Sequence, residues 1–239
     1  MRESDQIIVT TRPSGKFKPI KVPEGFRIIN TPLTEITPVS VDWGLVRDFE
    51  PQVLIFTSTV GARIFIDSKN GIVNDKVDVI AIGSATAREL SSRFSNITIP
   101  ARRNSDGIVD LLKSGDYSGR KIAVFTSAKS NRIIQNFLSE NNYRYIQCDL
   151  YDANPVSRSN LTEYLSRKDV AAVIITSSQE AELFKKIAGP QATLKPLYAI
   201  GETTASTMEK IGIRPSEPLG KSDLESLVME ICRKISSSN

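Results

Sequence analysis

An internal repeat is the feature that most constrains the fold of this chain. The segment Val53–Phe65 returns as Ala172–Phe184, 119 positions later, and Ile80–Ala87 returns as Tyr198–Ala205, 118 positions later. Repeats of solenoid proteins are only about 20 to 50 residues long. The spacing therefore predicts one duplicated module rather than an array. Because ligands usually bind in concave sites between such units, the repeat also predicts a binding cleft.

Short apolar runs rich in Ile and Val predict the strands of parallel sheets, which are buried on both faces. They are Ile7–Val9, Val53–Phe56, Val79–Ile82, Ile122–Phe125, Ala172–Ile175 and Leu197–Ile200. Helical spacing of apolar residues lies between them, in Ala85–Phe94 and in Ser130–Leu138. A third predicted helix begins at Ser222, where Glu225 follows at the spacing of a capping box. The alternation predicts an α/β protein with two doubly wound parallel-sheet domains.

Two extended, proline-containing segments, residues 33–38 and 150–155, lie at equivalent places in the repeat and predict paired interdomain linkers. If the chain crosses between domains there, the first α/β domain is discontinuous and comprises residues 1–35 plus 155–239. The second domain is then residues 39–150. The residues alone leave two sequential domains as the alternative.

Composition excludes several classes of active site. The chain of 239 residues has a formal net charge of only +4 and contains no histidine. Histidine-based triads, general bases and zinc sites are therefore excluded. Cys148 and Cys232 form no CxxC pair, which is typical of a reducing compartment without disulfides. Any chemistry of this chain must therefore use carboxylates, hydroxyls, lysine, tyrosine or the backbone.

Other patterns argue against membrane and nucleic-acid partners. No apolar run approaches the roughly 20 residues of a membrane span, and Met1–Asp5 lacks the apolar core of a signal peptide. Aromatic residues interleaved with basic ones are typical of a nucleic-acid surface, and the basic pairs at Arg102 and Arg120 lack them. Neither GxGxxG nor a Walker lysine motif occurs, so nucleotide binding has no support. We expect a cytoplasmic protein.

Small hydroxylated residues follow four of the predicted strands. At the carboxyl ends of parallel strands, helix N-termini expose N–H groups that attract anions. The candidate substrate-binding residues of this kind are Ser58, Thr86, Ser177, Ser178, Thr203 and Thr204. Serine and threonine are also favoured N-caps in any helix, so the capping interpretation stays open for each of them. Their presence in both copies of the module favours a shared anion-binding cleft.

Tyr151 interrupts the repeat, since Thr34 occupies the matching position in the other copy. A single tyrosine is usually a half-buried packing residue. A phenol inside a predicted linker is nevertheless a candidate general acid.

The order of these motifs resembles that of the uroporphyrinogen-III synthase family over the whole chain. The motifs are Val9–Pro13, Phe56–Ser58, Ala81–Ala87, Tyr151 after a strand, and Ala199–Ala205. The resemblance implies two α/β domains joined by a two-stranded linker ladder, with the first domain built from both chain ends. It also implies a cytoplasmic, cofactor-free lyase of tetrapyrrole (porphyrin and heme) biosynthesis that acts as a monomer. Val60 and Phe125–Ser127 depart from the family pattern, which usually has an asparagine and an Arg-Gly pair there.

The resemblance further implies a substrate, hydroxymethylbilane, which carries an acetate and a propionate on each of its rings. The enzyme would expel its hydroxyl, invert the last ring through a spiro intermediate and close the macrocycle. Tyr151 would assist departure of the hydroxyl. The opening arginine Arg12 would join the strand-end residues in binding the substrate. The preceding enzyme, hydroxymethylbilane synthase, would be a transient partner. The alternative is a non-catalytic two-lobed binding or regulatory protein for a small anion.

Overall fold

The computed structural model describes residues 5–68 and 73–237. In chain order the strands are β1 (Gln6–Thr10), β2 (Phe26–Asn30), β3 (Thr34–Pro38), β4 (Val53–Phe56), β5 (Asp78–Ala81), β6 (Ile97–Thr98), β7 (Lys121–Ser127), β8 (Arg144–Pro155), β9 (Val170–Ile175) and β10 (Leu197–Ala199). The helices are α1 (Trp43–Phe49), α2 (Thr59–Asp67), α3 (Ser84–Leu90), α4 (Ser105–Ser114), α5 (Ile133–Glu140), α6 (Leu161–Ser166), α7 (Ser178–Ala188), α8 (Glu202–Lys210) and α9 (Leu224–Ser236). Short 3-10 helices occupy Ser14–Lys16 and Gly189–Thr193.

The chain divides into two compact units. The first is Met1–Ile36 with Asn154–Asn239, and the second is Thr37–Ala153. The predicted boundaries at residues 35, 39, 150 and 155 lie within three residues of this division. Independent folding of each unit stays a prediction. Met1–Asp5 was predicted to lack the apolar core of a signal peptide, and residues 1–4 lie outside the described residues.

The sheet of the first unit has four parallel strands in the order β10-β9-β1-β2. Its two faces are both buried. Val9 and Val173 pack with Phe184 of α7 on one face, whereas Ile8 and Ile174 pack with α9 on the other. Successive residues of a strand point to opposite faces, so a strand covered on both sides must be apolar throughout. The continuous apolar runs therefore predicted β1, β9 and β10 of this sheet correctly, whereas the less buried β2 was not predicted.

The connection from β1 to β2 contains no α-helix among the described residues. An extended segment instead packs Phe17, Ile20 and Val22 against the core on the α9 side of the sheet. Three apolar side chains thus replace the helix that usually covers one face of a parallel crossover.

The sheet of the second unit has the order β3-β8-β7-β4-β5-β6, and its strands from β8 to β6 are parallel. Aromatic rings fill one face: Phe56 stacks on Phe125 at 4.8 Å and meets Phe65 edge-on at 5.1 Å. β3 pairs with β8 at the sheet edge. The Val39 amide donates to the Leu150 carbonyl at 3.0 Å. A two-stranded ladder as the link between domains stays a prediction.

Helix α9 corrects one detail of the sequence analysis. The predicted capping box beginning at Ser222 is wrong, because Ser222 has a φ of 62° and lies one residue too early. Asp223 is the N-cap, and its carboxylate accepts a 2.7 Å hydrogen bond from the amide of Ser226. The predicted helices at 85–94 and 130–138 are present, with bounds displaced by up to four residues in α3 and α5. Within the described residues, no helix is long and apolar enough to cross a membrane.

Candidate functional site

Ser58 and Ser177, which occupy equivalent places in the repeat, both cap helices. Ser58 Oγ accepts a 2.9 Å hydrogen bond from the Gly61 amide at the start of α2. Ser177 Oγ accepts one of 3.2 Å from the Glu180 amide at the start of α7. The capping interpretation is therefore confirmed for both serines. A cap leaves the hydroxyl proton unused, so it does not prevent either serine from donating to a ligand.

The other hydroxylated candidates lie in the first turns of α3, α7 and α8. Thr86 and Thr204 are each the third residue of a helix, and both are buried. Thr203 is exposed on α8, and its carbonyl accepts a 3.4 Å hydrogen bond from Ser178 Oγ. Equivalent residues of the repeat thus occupy equivalent helix positions. The buried threonines help to shape the strand ends, whereas Ser178 and Thr203 are more accessible.

Tyr151 lies on β8 and contacts the beginning of α2. Its phenol donates a 2.9 Å hydrogen bond to Ser58 Oγ, and only 3% of the residue is exposed. Gly61 makes room for this contact, since a Cβ there would lie 3.2 Å from Ser58 Oγ and 3.8 Å from the tyrosine ring. Thr59 and Thr86 add a 3.3 Å contact between their hydroxyls. We call Ser58, Thr59, Thr86 and Tyr151 the Tyr151 cluster.

The chemistry of the Tyr151 cluster centres on Ser58. Its oxygen accepts hydrogen bonds from both the phenol and the Gly61 amide, so its own proton is directed elsewhere. Ser58 is half-buried, whereas Tyr151 is almost fully covered. Of the two residues, Ser58 is therefore the more accessible to an incoming molecule. This arrangement suits donation of a proton or a hydrogen bond to a substrate oxygen.

Glu180 is the residue that the sequence analysis missed. It lies in the first turn of α7, is 1% exposed, and accepts hydrogen bonds from three threonines of the first unit. Its Oε2 accepts from Thr11 Oγ1 at 2.7 Å and from both the amide and Oγ1 of Thr176, at 3.1 and 2.7 Å. Its Oε1 accepts from Thr34 Oγ1 at 3.4 Å. We call these four residues the Glu180 cluster. The spacing Ser177-x-x-Glu180 is that of a capping box and was the available signal.

The electrostatics of the Glu180 cluster involve Arg12. Burial raises the pKa of the Glu180 carboxyl, and the hydrogen bonds from Thr11 and Thr176 oppose that shift. Burial lowers the pKa of the Arg12 guanidinium, and the negative charges of Glu180 and Asp223 oppose that shift. A half-buried cation thus faces a buried anion at the ends of β1 and β9. Their opposite charges reduce the cost of taking both from water.

Unpaired polar atoms gather at the carboxyl ends of β1 and β2. Within the described residues, four of the five buried side-chain polar atoms without a hydrogen-bond partner lie there: Thr10 Oγ1, Arg12 Nε, Asn30 Oδ1 and Thr31 Oγ1. Asn30 Nδ2 donates to the Arg12 carbonyl at 2.9 Å, which fixes the amide oxygen on the other side. Buried polar groups are nearly always paired, by protein, water or a ligand. The unpaired Arg12 Nε therefore makes this strand end a candidate binding position.

The cysteines and acidic residues of the described ranges supply no metal site. Among residues 5–68 and 73–237, no group of three or more Cys, Asp and Glu is arranged to hold an ion. Cys148 and Cys232 are both buried and unbridged. Burial raises the pKa of the Cys148 thiol to about 12, so it is not a nucleophile near neutral pH.

The predicted site residues thus form two groups, one in each unit. The second unit brings Ser58, Thr86 and Tyr151 together. The first unit joins Ser178 to Thr203 by a direct hydrogen bond. In the same unit, Glu180 links the segments that carry Arg12 and Ser177, because it accepts hydrogen bonds from the preceding residues, Thr11 and Thr176. Thr204 lies beside Thr203 in the first turn of α8.

A family model and solved structures both match this chain. The family model described as uroporphyrinogen-III synthase HemD matches residues 23–228. A mutant uroporphyrinogen III synthase from the extremely thermophilic bacterium Thermus thermophilus superposes with a TM-score of 0.66 at 18% identity, covering 97% of this chain and 99% of that chain. The uroporphyrinogen-III synthetase of Helicobacter pylori 26695 superposes with a TM-score of 0.64 at 14% identity, covering 98% and 99%. At these identities the structures establish the fold. No curated protein sequence matched the chain.

Proposed function

The chain belongs to the uroporphyrinogen-III synthase family, and on that premise we propose how its own residues carry out the family's reaction. The enzyme is a cyclising lyase of tetrapyrrole and heme biosynthesis whose substrate is hydroxymethylbilane. The reaction closes the macrocycle with inversion of the last ring and loss of water. The match over residues 23–228 carries this conclusion, and it does not favour the alternative of a non-catalytic binding protein.

We propose that Ser58 and Tyr151 together assist departure of the substrate hydroxyl. Loss of hydroxide is slow, whereas loss of water after proton donation is fast. The half-buried Ser58 hydroxyl would donate to the leaving oxygen, and the phenol proton would follow onto Ser58 through their 2.9 Å hydrogen bond. Tyr151 would then supply the proton without direct exposure to solvent. The hydrogen bond between the two side chains supports this role.

We propose that the substrate carboxylates are bound by Arg12 and by the strand-end hydroxyls. Hydrogen bonds to charged groups are about twice as strong as neutral ones. The unpaired Nε of Arg12, the half-buried Ser178 and the exposed Thr203 support this assignment. Ser177, Thr86 and Thr204 would contribute through the first turns of their helices. Binding spread over many donors suits a substrate with a carboxylate pair on every ring.

We further propose that the protein is a cytoplasmic monomer that needs no metal and receives its substrate in transient contact with hydroxymethylbilane synthase. Free bilane closes spontaneously to isomer I, so direct transfer would protect it. The two unbridged cysteines support a reducing compartment. These points are independent of the roles given to the side chains.

The decisive experiment is incubation with freshly prepared hydroxymethylbilane, with EDTA present, followed by oxidation and separation of the isomers. We expect isomer III. Spontaneous closure supplies only isomer I, so the product ratio reports catalysis directly. Formation of isomer I alone, at the rate seen without protein, would refute the activity. Activity abolished by EDTA and restored by a metal would refute the metal-free reaction alone.

A further inference from the structure

We propose that Glu180 is a positioning residue that holds the two substrate-binding strand ends of the first unit. The proposal rests on the proposed function, because it acts through Arg12 and Ser177. Glu180 itself is too deeply buried to touch substrate, at 1% exposure. It is therefore not assigned a catalytic role.

Glu180 accepts hydrogen bonds from the two residues that immediately precede Arg12 and Ser177 in the sequence. Thr11 precedes Arg12 at the end of β1, and Thr176 precedes Ser177 at the end of β9. One carboxylate oxygen, Oε2, accepts from both threonine hydroxyls at 2.7 Å. The two neighbouring strand ends are thus fixed to a single atom. A shift of either strand end would have to break a buried, charge-assisted hydrogen bond.

The second oxygen extends this arrangement to a third chain segment. Glu180 Oε1 accepts a 3.4 Å hydrogen bond from Thr34, the first residue of β3. Thr11 and Thr34 are both buried, so solvent does not compete for these contacts. A buried carboxylate surrounded by donors is costly unless all of its bonds form together. Glu180 therefore favours one arrangement of the segments that carry Arg12 and Ser177.

The chain offers a matched control for this residue. Glu182 lies on the same helix, is exposed, and carries the same charge two residues away. The test compares Glu180→Ala with Glu182→Ala, each measured with hydroxymethylbilane over a range of concentrations. We expect Glu180→Ala to raise KM about tenfold with kcat changed less than about twofold, since binding geometry is lost. Glu182→Ala should leave both constants unchanged.

A double-mutant cycle with Arg12→Ala distinguishes positioning from a general loss of stability. If Glu180 acts through Arg12, Glu180→Ala should raise KM less than about threefold in the Arg12→Ala background. The conservative Glu180→Gln keeps an acceptor for Thr176 and should recover most of the affinity. A merely destabilised protein would show fewer active molecules, hence lower kcat at unchanged KM, and that result would overturn the proposal. Equal effects of Glu180→Ala with and without Arg12 would overturn it as well.

The partner side chains keep the test decisive if Glu180→Ala does not fold. Thr11→Val and Thr176→Val remove one hydroxyl each and preserve the shape of the side chain. Each should raise KM in the same direction as Glu180→Ala, and unchanged KM in both would overturn the positioning role. Failure of the proposed function appears differently: Arg12→Ala would then have normal KM, or isomer III would be absent from the unmodified protein.

Discussion

The phenol of Tyr151 lies 2.9 Å from Ser58 Oγ and donates a hydrogen bond to it, which joins β8 to the first turn of α2. Ser58 therefore has two simultaneous tasks. It caps α2 by accepting a hydrogen bond from the Gly61 amide, and it accepts a second hydrogen bond from the phenol of Tyr151. Ser58 is the more accessible residue of the pair, because Tyr151 is almost completely buried. The first prediction tests whether the two residues act as one.

Tyr151→Phe should reduce the rate of isomer III formation on the order of 10²-fold, because assistance by a general acid is lost while the ring still packs. Ser58→Ala should cause a similar loss. The double variant should be little worse than either single variant, since residues that act as a unit have non-additive effects. Initial rates with fresh hydroxymethylbilane measure all three.

Tyr145→Phe is the matched control for Tyr151→Phe. Tyr145 is on the same strand and also shares a hydrogen bond with a serine, Ser139, at 2.8 Å, but in an exposed position. Its loss should not change the rate. A Tyr151→Phe protein with the unmodified rate would reduce the phenol to a packing group.

Gly107→Ala should lower the stability of the protein by about 2–3 kcal/mol, because overpacking against rigid backbone is costly. A Cβ at this position would lie 1.9 Å from the Arg102 carbonyl oxygen, too close to coexist with it. Gly15→Ala is the control, since nothing lies within 4 Å of a Cβ there. Thermal unfolding should show a fall in Tm of about 5–10 °C for the first variant and almost none for the second.

Asp223→Ala should cost about 1 kcal/mol, because the N-cap of α9 loses its 2.7 Å hydrogen bond to the Ser226 amide. Ser222→Ala should stay within about 0.5 kcal/mol of the unmodified protein, as expected for an exposed residue outside the cap. Urea unfolding compares the two. A larger loss at Ser222 than at Asp223 would restore the capping box that the sequence suggested.

Cys148 should resist alkylation in the folded protein. Burial raises the pKa of its thiol to about 12, whereas an exposed thiol has a pKa near 8.5. At pH 8 an exposed thiol is partly ionised, whereas the native Cys148 thiol is almost entirely neutral, so labelling should be far faster in the unfolded chain than in the native protein. Mass spectrometry after iodoacetamide treatment, with and without guanidinium, measures this. Rapid labelling of native Cys148 would contradict the burial described above.

The sequence predicted the fold well where a residue's environment followed from its neighbours. Val53–Phe56 forms β4 with the bounds of its apolar run, since a strand covered on both faces must be apolar throughout. Ser58 and Ser177 were correctly placed at helix starts by the repeat. These features depend on local pattern and on comparison of the two copies. Neither requires knowledge of distant contacts.

The long-range polar contacts could not be predicted. From the sequence alone Glu180 is expected to be an ordinary exposed helical glutamate, because carboxylates are seldom buried unless paired. Its burial depends on Thr11, which is 169 positions away in the chain. The pairing of Tyr151 with Ser58 spans 93 positions. At the α9 start, Ser222 and Asp223 are both good caps, and only the backbone angle of Ser222 decides between them.

The strand order of the first unit determines when its sheet can be completed during synthesis of the chain. β1 is an inner strand, and one of its neighbours is β9, which the ribosome makes about 160 residues later. Until Ile175 emerges, β1 and β2 have an open edge and an uncovered apolar face. The second unit draws all its strands from residues already synthesised by then. If the second unit folds independently, as predicted, it can therefore fold during synthesis while β1 and β2 still lack their neighbour β9.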